Sequence, residues 1–251
     1  VSGLREDLDR DGYAVVRGLL GPPEVAALAG AFDALVATAR TLPGTTDVGG
    51  ARFVVDPSPF RLHRVVWAGG ASPTIASFGG DPRFLRLAAE VLGVEPVVQL
   101  IQQAHFKLPG DGVGFDWHQD ASNRRYGSEE WTDVDGRGSF VQIAVAIDPM
   151  SADNGGLRFV PGTHRLGFVA DPTSGALPAA AVDASRAVAA VLAPGDAAVF
   201  GPFVIHGSGA NRGTIPRRLF LQGYATPGAN RRTYPGCGLG VNRRLAAATG
   251  S

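Results

Sequence analysis

Apolar residues follow two rhythms along the 251-residue chain, and the point where the rhythm changes divides it. Up to about residue 93 the spacing is mostly helical. Leu4 to Asp11 predicts a helical turn or two, and Tyr13 to Arg17 a short strand. Pro22-Pro23 opens a helix running to about Arg40, because proline is tolerated in a first turn. Val25, Leu28, Ala29, Phe32 and Leu35 continue it at helical spacing. Thr41 to Gly50 reads as a loop. Pro82 to Leu92 carries a stripe of Phe84, Leu85, Leu87, Ala88 and Val91, which Gly93 ends.

From Val94 the pattern becomes extended. Val97–Lys107, Phe140–Ile147, Leu157–Val160, Ala189–Leu192, Ala197–Phe200 and Leu219–Ala225 predict strands, punctuated by Pro161-Gly162 and Pro194-Gly195-Asp196. Short strands between Gly/Pro turns point to an antiparallel sandwich or barrel. The expectation is one mainly β domain over 1–251, in which a helical part (about 1–93) packs on a β core (about 94–226) that a tail (227–251) follows. Two connections, Ala121–Gly138 and Gly162–Val188, are long enough to suggest function.

Composition narrows the classes. Apolar content of 45%, charged content of 18% and zero formal net charge describe a globular protein without a field built for nucleic acid or acidic membranes. The pairs Arg231-Arg232 and Arg243-Arg244 lack the interleaved aromatics of a nucleic-acid face. Cys237 is the lone cysteine, so no internal disulfide or cysteine metal site exists. With no apolar run of spanning length and no leader pattern, although the chain starts at Val1, the expected compartment is the cytoplasm. Twenty-two arginines against one lysine make Lys107 conspicuous, and the Arg, Ala and Gly bias is that of a GC-rich bacterial genome.

The chemistry starts at His118-Gln119-Asp120. Residues i and i+2 share a face only on extended backbone. A third candidate, His206, follows the apolar stretch Val199–Ile205, read as one strand, and Arg217 stands eleven residues further on. Two histidines and a carboxylate are the donor set of non-haem Fe(II) oxygenases, and also suit Mn, Co, Ni or Zn. Phe115 and Trp117 around the first pair argue against a generic polar turn. His63 and His164 lack ligand-like spacing, and Asn154-Gly155-Gly156 reads as a turn.

Taken in order, Lys107, Trp117–Asp120, Asp153–Arg165, His206–Ser208 and Pro216-Arg217 resemble the phytanoyl-CoA dioxygenase family of Fe(II)/2-oxoglutarate-dependent oxygenases, which includes ectoine hydroxylase. The resemblance covers roughly residues 100–225 and is only general upstream. It implies a double-stranded β-helix, a jelly-roll of the cupin type. His118, Asp120 and His206 would be the iron ligands. Arg217, aided by the Ser208 hydroxyl, would hold the distal carboxylate of 2-oxoglutarate. Gln103 and Gln142 on the inner wall, and Arg64, are further candidates for contact with cosubstrate. In the first long loop, Arg124 and Arg125 are candidates to meet an acidic substrate, and Tyr126 and Trp131 to cover it. The implied activity is hydroxylation of a small molecule, using Fe(II), 2-oxoglutarate and O2, in bacterial specialised metabolism. Desaturation, epimerisation or oxidative cyclisation at the same centre are alternatives, and a non-catalytic jelly-roll is a third class. Related halogenases have a small residue where this chain has Asp120, which disfavours halogenation. Substrate identity and oligomeric state are not readable.

Overall fold

A computed structural model describes residues 3–246. Three helices form where predicted, α1 (Leu4–Asp11), α2 (Pro22–Ala39) and α4 (Pro82–Leu92), and a short α3 (Pro73–Ser77) joins them unpredicted. Glu24 accepts the Gly21 amide at 2.7 Å and closes the start of α2. Asp81 caps α4 by accepting the Arg83 amide at 2.9 Å, and Gly93 ends it at φ 70°. Arg83 then bridges Asp81 and Glu24, tying the two helix starts together.

The strands are β1 (Tyr13–Val16), β2 (Thr46–Val48), β3 (Ala51–Pro57), β4 (Phe60–Val66), β5 (Val97–Lys107), β6 (Phe115–His118), β7 (Phe140–Ala146), β8 (Arg158–Phe159), β9 (Val188–Ala189), β10 (Ala197–Phe200), β11 (His206–Ser208), β12 (Arg217–Ala225) and β13 (Val241–Arg243). A nine-stranded sheet runs β1-β10-β7-β12-β5-β4-β3-β2, with β13 also on β5, and a four-stranded sheet runs β6-β11-β8-β9. Every pairing is antiparallel.

The period of two sorts the large sheet cleanly. Phe106, Val141, Ile143, Val145, Val199 and Phe220 turn outward into a core shared with Leu28, Phe32, Phe84 and Ala88 of the helices. The Phe220 ring meets Phe32, Phe78 and Phe84 edge-on. Inward, Ala144, Ala146, Ala198, Phe200 and Leu219 pack against Phe159 of the small sheet. Two sheets thus face one another as a jelly-roll, closed at one end by this apolar cluster.

Three expectations need correction. The stretch taken as helix and loop before residue 93 contains β2, β3 and β4, which extend the large sheet past β5. Ala51, Phe53 and Val55 alternate with more exposed neighbours, a strand rhythm hidden among many polar residues. Val199–Ile205 is not one strand: β10 stops at Phe200 and β11 starts at His206 in the other sheet. Gly201-Pro202 breaks it, since proline cannot donate to a ladder. Of Ala189–Leu192 only Ala189 lies in a strand, the two-residue β9, and Leu192 makes an isolated bridge to Met150. Of the predicted tail, 247–251 lie outside the described residues. Among those described, no helix is long and apolar enough to cross a membrane.

Candidate metal centre and active-site cavity

The two histidines are brought together by register. β6 and β11 run antiparallel with His118 directly opposite His206, and the ring centroids lie 4.2 Å apart. Each imidazole is locked by its own strand. His118 Nδ1 lies 2.7 Å from the Asp116 carbonyl and His206 Nδ1 lies 3.0 Å from that of Val204. A carbonyl can only accept, so Nδ1 carries the proton and Nε2 keeps its lone pair for a metal. Phe200 and Phe159 pack on the His206 ring at 4.7 and 5.8 Å.

Asp120 arrives differently from the expected strand. Gln119 is still extended (φ −110°, ψ 133°), but Asp120 opens the short helix α5 (Asp120–Asn123). Its neighbour fixes it there. The Gln119 side chain donates to the carbonyls of Gly167 (2.8 Å) and Phe203 (2.6 Å) and accepts the amides of Val169 (2.9 Å) and Ala170 (3.3 Å). The Ala121 amide reaches the Pro202 carbonyl at 3.0 Å. One ligand atom each from His118, Asp120 and His206 lies within 4.8 Å of the others.

Protonation suits a cation. Burial, then the facing His118, pushes His206 down to about 4. Burial alone would raise Asp120, but His206, His118 and Arg124 outweigh it and hold the carboxylate below its usual range. Near neutral pH the His206 imidazole is neutral and Asp120 is a carboxylate, which is the state metal ligands require. The donor set and the locked tautomers fit a divalent iron.

Beside this triad lies a cavity of about 860 Å³ between the sheets. Arg217, only 1% exposed, lines it, and its Nε and Nη1 have no hydrogen-bond partner. Burial pushes its pKa down to about 10. Lys107 sits opposite Arg217 in the β5–β12 register. The Lys107 amine is spent on structure: its N–H groups are shared among the carbonyls of Gly155 (3.2 Å) and Ser208 (3.0 Å), the Ser208 Oγ (2.6 Å) and the Gly209 carbonyl, and burial, then Arg217, pushes its pKa down to about 6. Ser208 thereby accepts from Lys107, leaving its own proton to donate.

The other inner-wall residues also meet here. Arg64, Gln103, His105 and Gln142 line the cavity. Gln103 Oε1 lies 2.8 Å from His105 Nε2, and Gln142 donates to the Gln222 carbonyl at 3.1 Å. His105 lies well below its ordinary pKa, chiefly through burial, then through Arg64, Arg217 and Lys107. His105 has no role assigned from the sequence; its alternation with Gln103 and Lys107 along the strand is the signal that places it on this face.

The loop candidates divide. Arg124 and Arg125 line the cavity, Arg124 buried and Arg125 exposed at φ 60°, 3.8 Å from Glu130. Tyr126 and Trp131 are not among the lining residues. Tyr126 donates to Asp133 at 2.9 Å and meets Phe203 edge-on, while Trp131 is buried and donates to the Gly138 carbonyl at 3.1 Å. They fasten the loop rather than cover the cavity. Arg232 and Tyr234, from the C-terminal segment, line it and had no local signal. His164 and His63 are engaged elsewhere, with the Asp9 carbonyl and Asp56.

A family model described as phytanoyl-CoA dioxygenase (PhyH) matches residues 8–219. An ectoine dioxygenase of Nocardia farcinica is 31% identical over 174 residues, covering 68% of this chain and 52% of that protein. The chain therefore spans about half the length of such relatives. Among solved structures, EctD from S. alaskensis with 2-oxoglutarate and 5-hydroxyectoine superposes with a TM-score of 0.73 at 24% identity, covering 90% of this chain and 76% of that one. The non-haem α-ketoglutarate-dependent epimerase SnoN from nogalamycin biosynthesis gives 0.66 at 24%, covering 88% and 79%. At these identities the solved structures show the fold alone.

Proposed function

Because the chain belongs to the phytanoyl-CoA dioxygenase family, we propose that it is an Fe(II)- and 2-oxoglutarate-dependent oxygenase that hydroxylates a small molecule. One observation carries the reading: a metal-ready His118–Asp120–His206 cluster and the anion-free guanidinium of Arg217 share one cavity.

His118, Asp120 and His206 would hold the iron. Bound there with 2-oxoglutarate and dioxygen, iron supplies the oxidation of a substrate C–H bond to C–OH, as 2-oxoglutarate becomes succinate and carbon dioxide. The chain's own contribution is position and charge. Arg217 would pair bidentately with the distal carboxylate, which remedies its unmet valences at once. Ser208, held by Lys107, would donate to the same carboxylate. Gln103, Gln142 and Arg64 would border the cosubstrate, with His105 neutral beside them. Asp120 fills the third ligand position, which supports oxygenation over halogenation. The lone Cys237, half-buried with its thiol pushed up to about 11 by burial, suits a reducing cytoplasm. The intact donor set argues against a merely structural jelly-roll.

The Nocardia relative is named for ectoine, and a small molecule is the reading it supports, with specialised metabolism as the proposed setting. The test incubates the chain with Fe(II), 2-oxoglutarate, oxygen and a metabolite panel, reading succinate and product mass. A gain of one oxygen is expected. A loss of two hydrogens points to desaturation or cyclisation, an unchanged mass with altered retention to epimerisation, and absence of substrate-stimulated succinate across the panel counts against an oxygenase.

A further inference from the structure

Arg217 is not the only guanidinium in the cavity without a hydrogen-bonded anion. Building on the oxygenase reading, we infer that the substrate carries an oxyanion group (carboxylate, phosphate or phosphonate) received by Arg124, with Arg232 and the Tyr234 hydroxyl completing the subsite.

Six arginines line the cavity against two aspartates, one of which is the ligand Asp120. Arg124 is the telling one. It is 7% exposed, and its Nε and Nη1 have no hydrogen-bond partner. Its guanidinium is held between two rings, 4.9 Å from the centroid of Phe140 and 5.0 Å from that of Tyr234. Stacking satisfies the faces of the plane and leaves the N–H edges unpaired. Tyr234 Oη is also buried without a partner. Arg232 lies over the same ring at 5.3 Å and is tethered through Nη1 to the Asn123 carbonyl at 3.2 Å.

Position makes this a substrate subsite rather than a second cosubstrate anchor. The Arg124 amide donates to the Asp120 carbonyl at 3.1 Å, so Arg124 stands one helical turn beyond a metal ligand and on its face. Arg217 belongs to β12 of the large sheet. Arg217 starts β12, whereas the Arg124 guanidinium lies over Phe140, which pairs with Ala225 at the other end of that strand, so the 860 Å³ cavity lets two anions bind without competing. A neutral substrate would leave Arg124 desolvated and unpaired.

The test uses the full chain loaded with Fe(II) and saturated with 2-oxoglutarate under nitrogen, so that Arg217 is occupied. Benzoate, phenylphosphonate and uncharged benzamide, which share one ring, are titrated by calorimetry. Benzoate or phenylphosphonate should bind at least about tenfold more tightly than benzamide, and the better of the two identifies the head group. Arg124→Met should erase the preference and Arg232→Gln reduce it severalfold, while both keep 2-oxoglutarate affinity within about twofold, which also reports folding. No anion preference in the wild type, or one that survives in Arg124→Met, overturns the inference alone. If Arg124→Met does not fold, Arg232→Gln decides, and an undiminished preference there overturns it. A wild type that binds no 2-oxoglutarate overturns the oxygenase reading, and this inference with it.

Discussion

Arg217 and Arg218 are adjacent on β12, yet one faces the cavity and the other the helices. Arg218 is fully partnered at home: it donates to Asp148 at 2.8 and 2.9 Å and to Asp33 at 2.7 Å. Those bonds hold its pKa up against burial. Arg217 has no acid against it, and burial holds its pKa down. The contrast extends to whole faces. Outside, Arg83 pairs with Asp81 and Glu24; inside, Arg124 has two rings and only a through-space attraction to Asp120, with no hydrogen-bonded acid. Folding accounts for the outer charges. The inner ones have valences that the chain itself does not meet, and these mark where cosubstrate and substrate bind.

Exchanging one residue at a time sharpens the difference. The largest effect should come from the metal centre: Asp120→Gly is expected to abolish succinate formation and product alike, with undiminished turnover removing Asp120 from the ligand set. Next, Arg217→Met should weaken 2-oxoglutarate binding by about 2–5 kcal/mol while leaving the unfolding free energy of the ligand-free protein unchanged or slightly higher. Arg218→Met should do the reverse, losing about 3 kcal/mol of stability by stranding Asp148, with 2-oxoglutarate affinity intact. Denaturant melts and calorimetry on the two variants read both halves; equal stability losses would erase the distinction.

Gln119→Ala comes third. It strands the carbonyls of Gly167 and Phe203 and the amides of Val169 and Ala170, so a stability loss of about 2 kcal/mol is expected. Iron affinity should fall about 10–100-fold as Asp120 loses its support. Metal titration checks this, and unchanged affinity would mean that α5 holds without it.

Acid gives a comparable effect. His206 falls from an ordinary 6.5 to about 4, so between those values the unfolded chain binds the proton more readily than the folded one. Metal-free stability is full above about 6.5 and should decline by about 3 kcal/mol as pH drops toward 4. His206→Leu should flatten this part of the profile; a slope that persists in full would assign it to other groups. Smallest of all, Arg125→Ala should change stability by under about 0.5 kcal/mol, since its contact with Glu130 is exposed.

Short-range features were legible in sequence and long-range ones were not. His118 and Asp120 could be paired because extended backbone through Gln119 is a local property. The opposition of Arg217 and Arg218 is likewise local, since it follows from the strand period once β12 is seen to begin at Arg217 rather than Leu219. Gln119 carries no such mark, since its partners come from Gly167 to Phe203. Arg232 and Tyr234 reach the cavity only because the C-terminal segment folds back, with Asn230 bridging Trp131. Tyr126 and Trp131 were read as a cover from their place in a long loop. Instead their rings supply apolar area that the loop buries. The strand β3 shows the opposite failure, since its alternation was present but Arg52 and Asp56 obscured it, whereas β4 buries Leu62 and Val65 three residues apart across a register shift and carries no clean alternation.

The most direct measurement is calorimetric titration of 2-oxoglutarate into Fe(II)-loaded protein under nitrogen, for wild type and Arg217→Met side by side. Unmet valences on the inner face predict one molecule bound per chain, dependent on both the metal and Arg217, and lost or greatly weakened in the variant. Binding of equal strength in Arg217→Met, or none in the wild type, would contradict the assignment of that face to the cosubstrate.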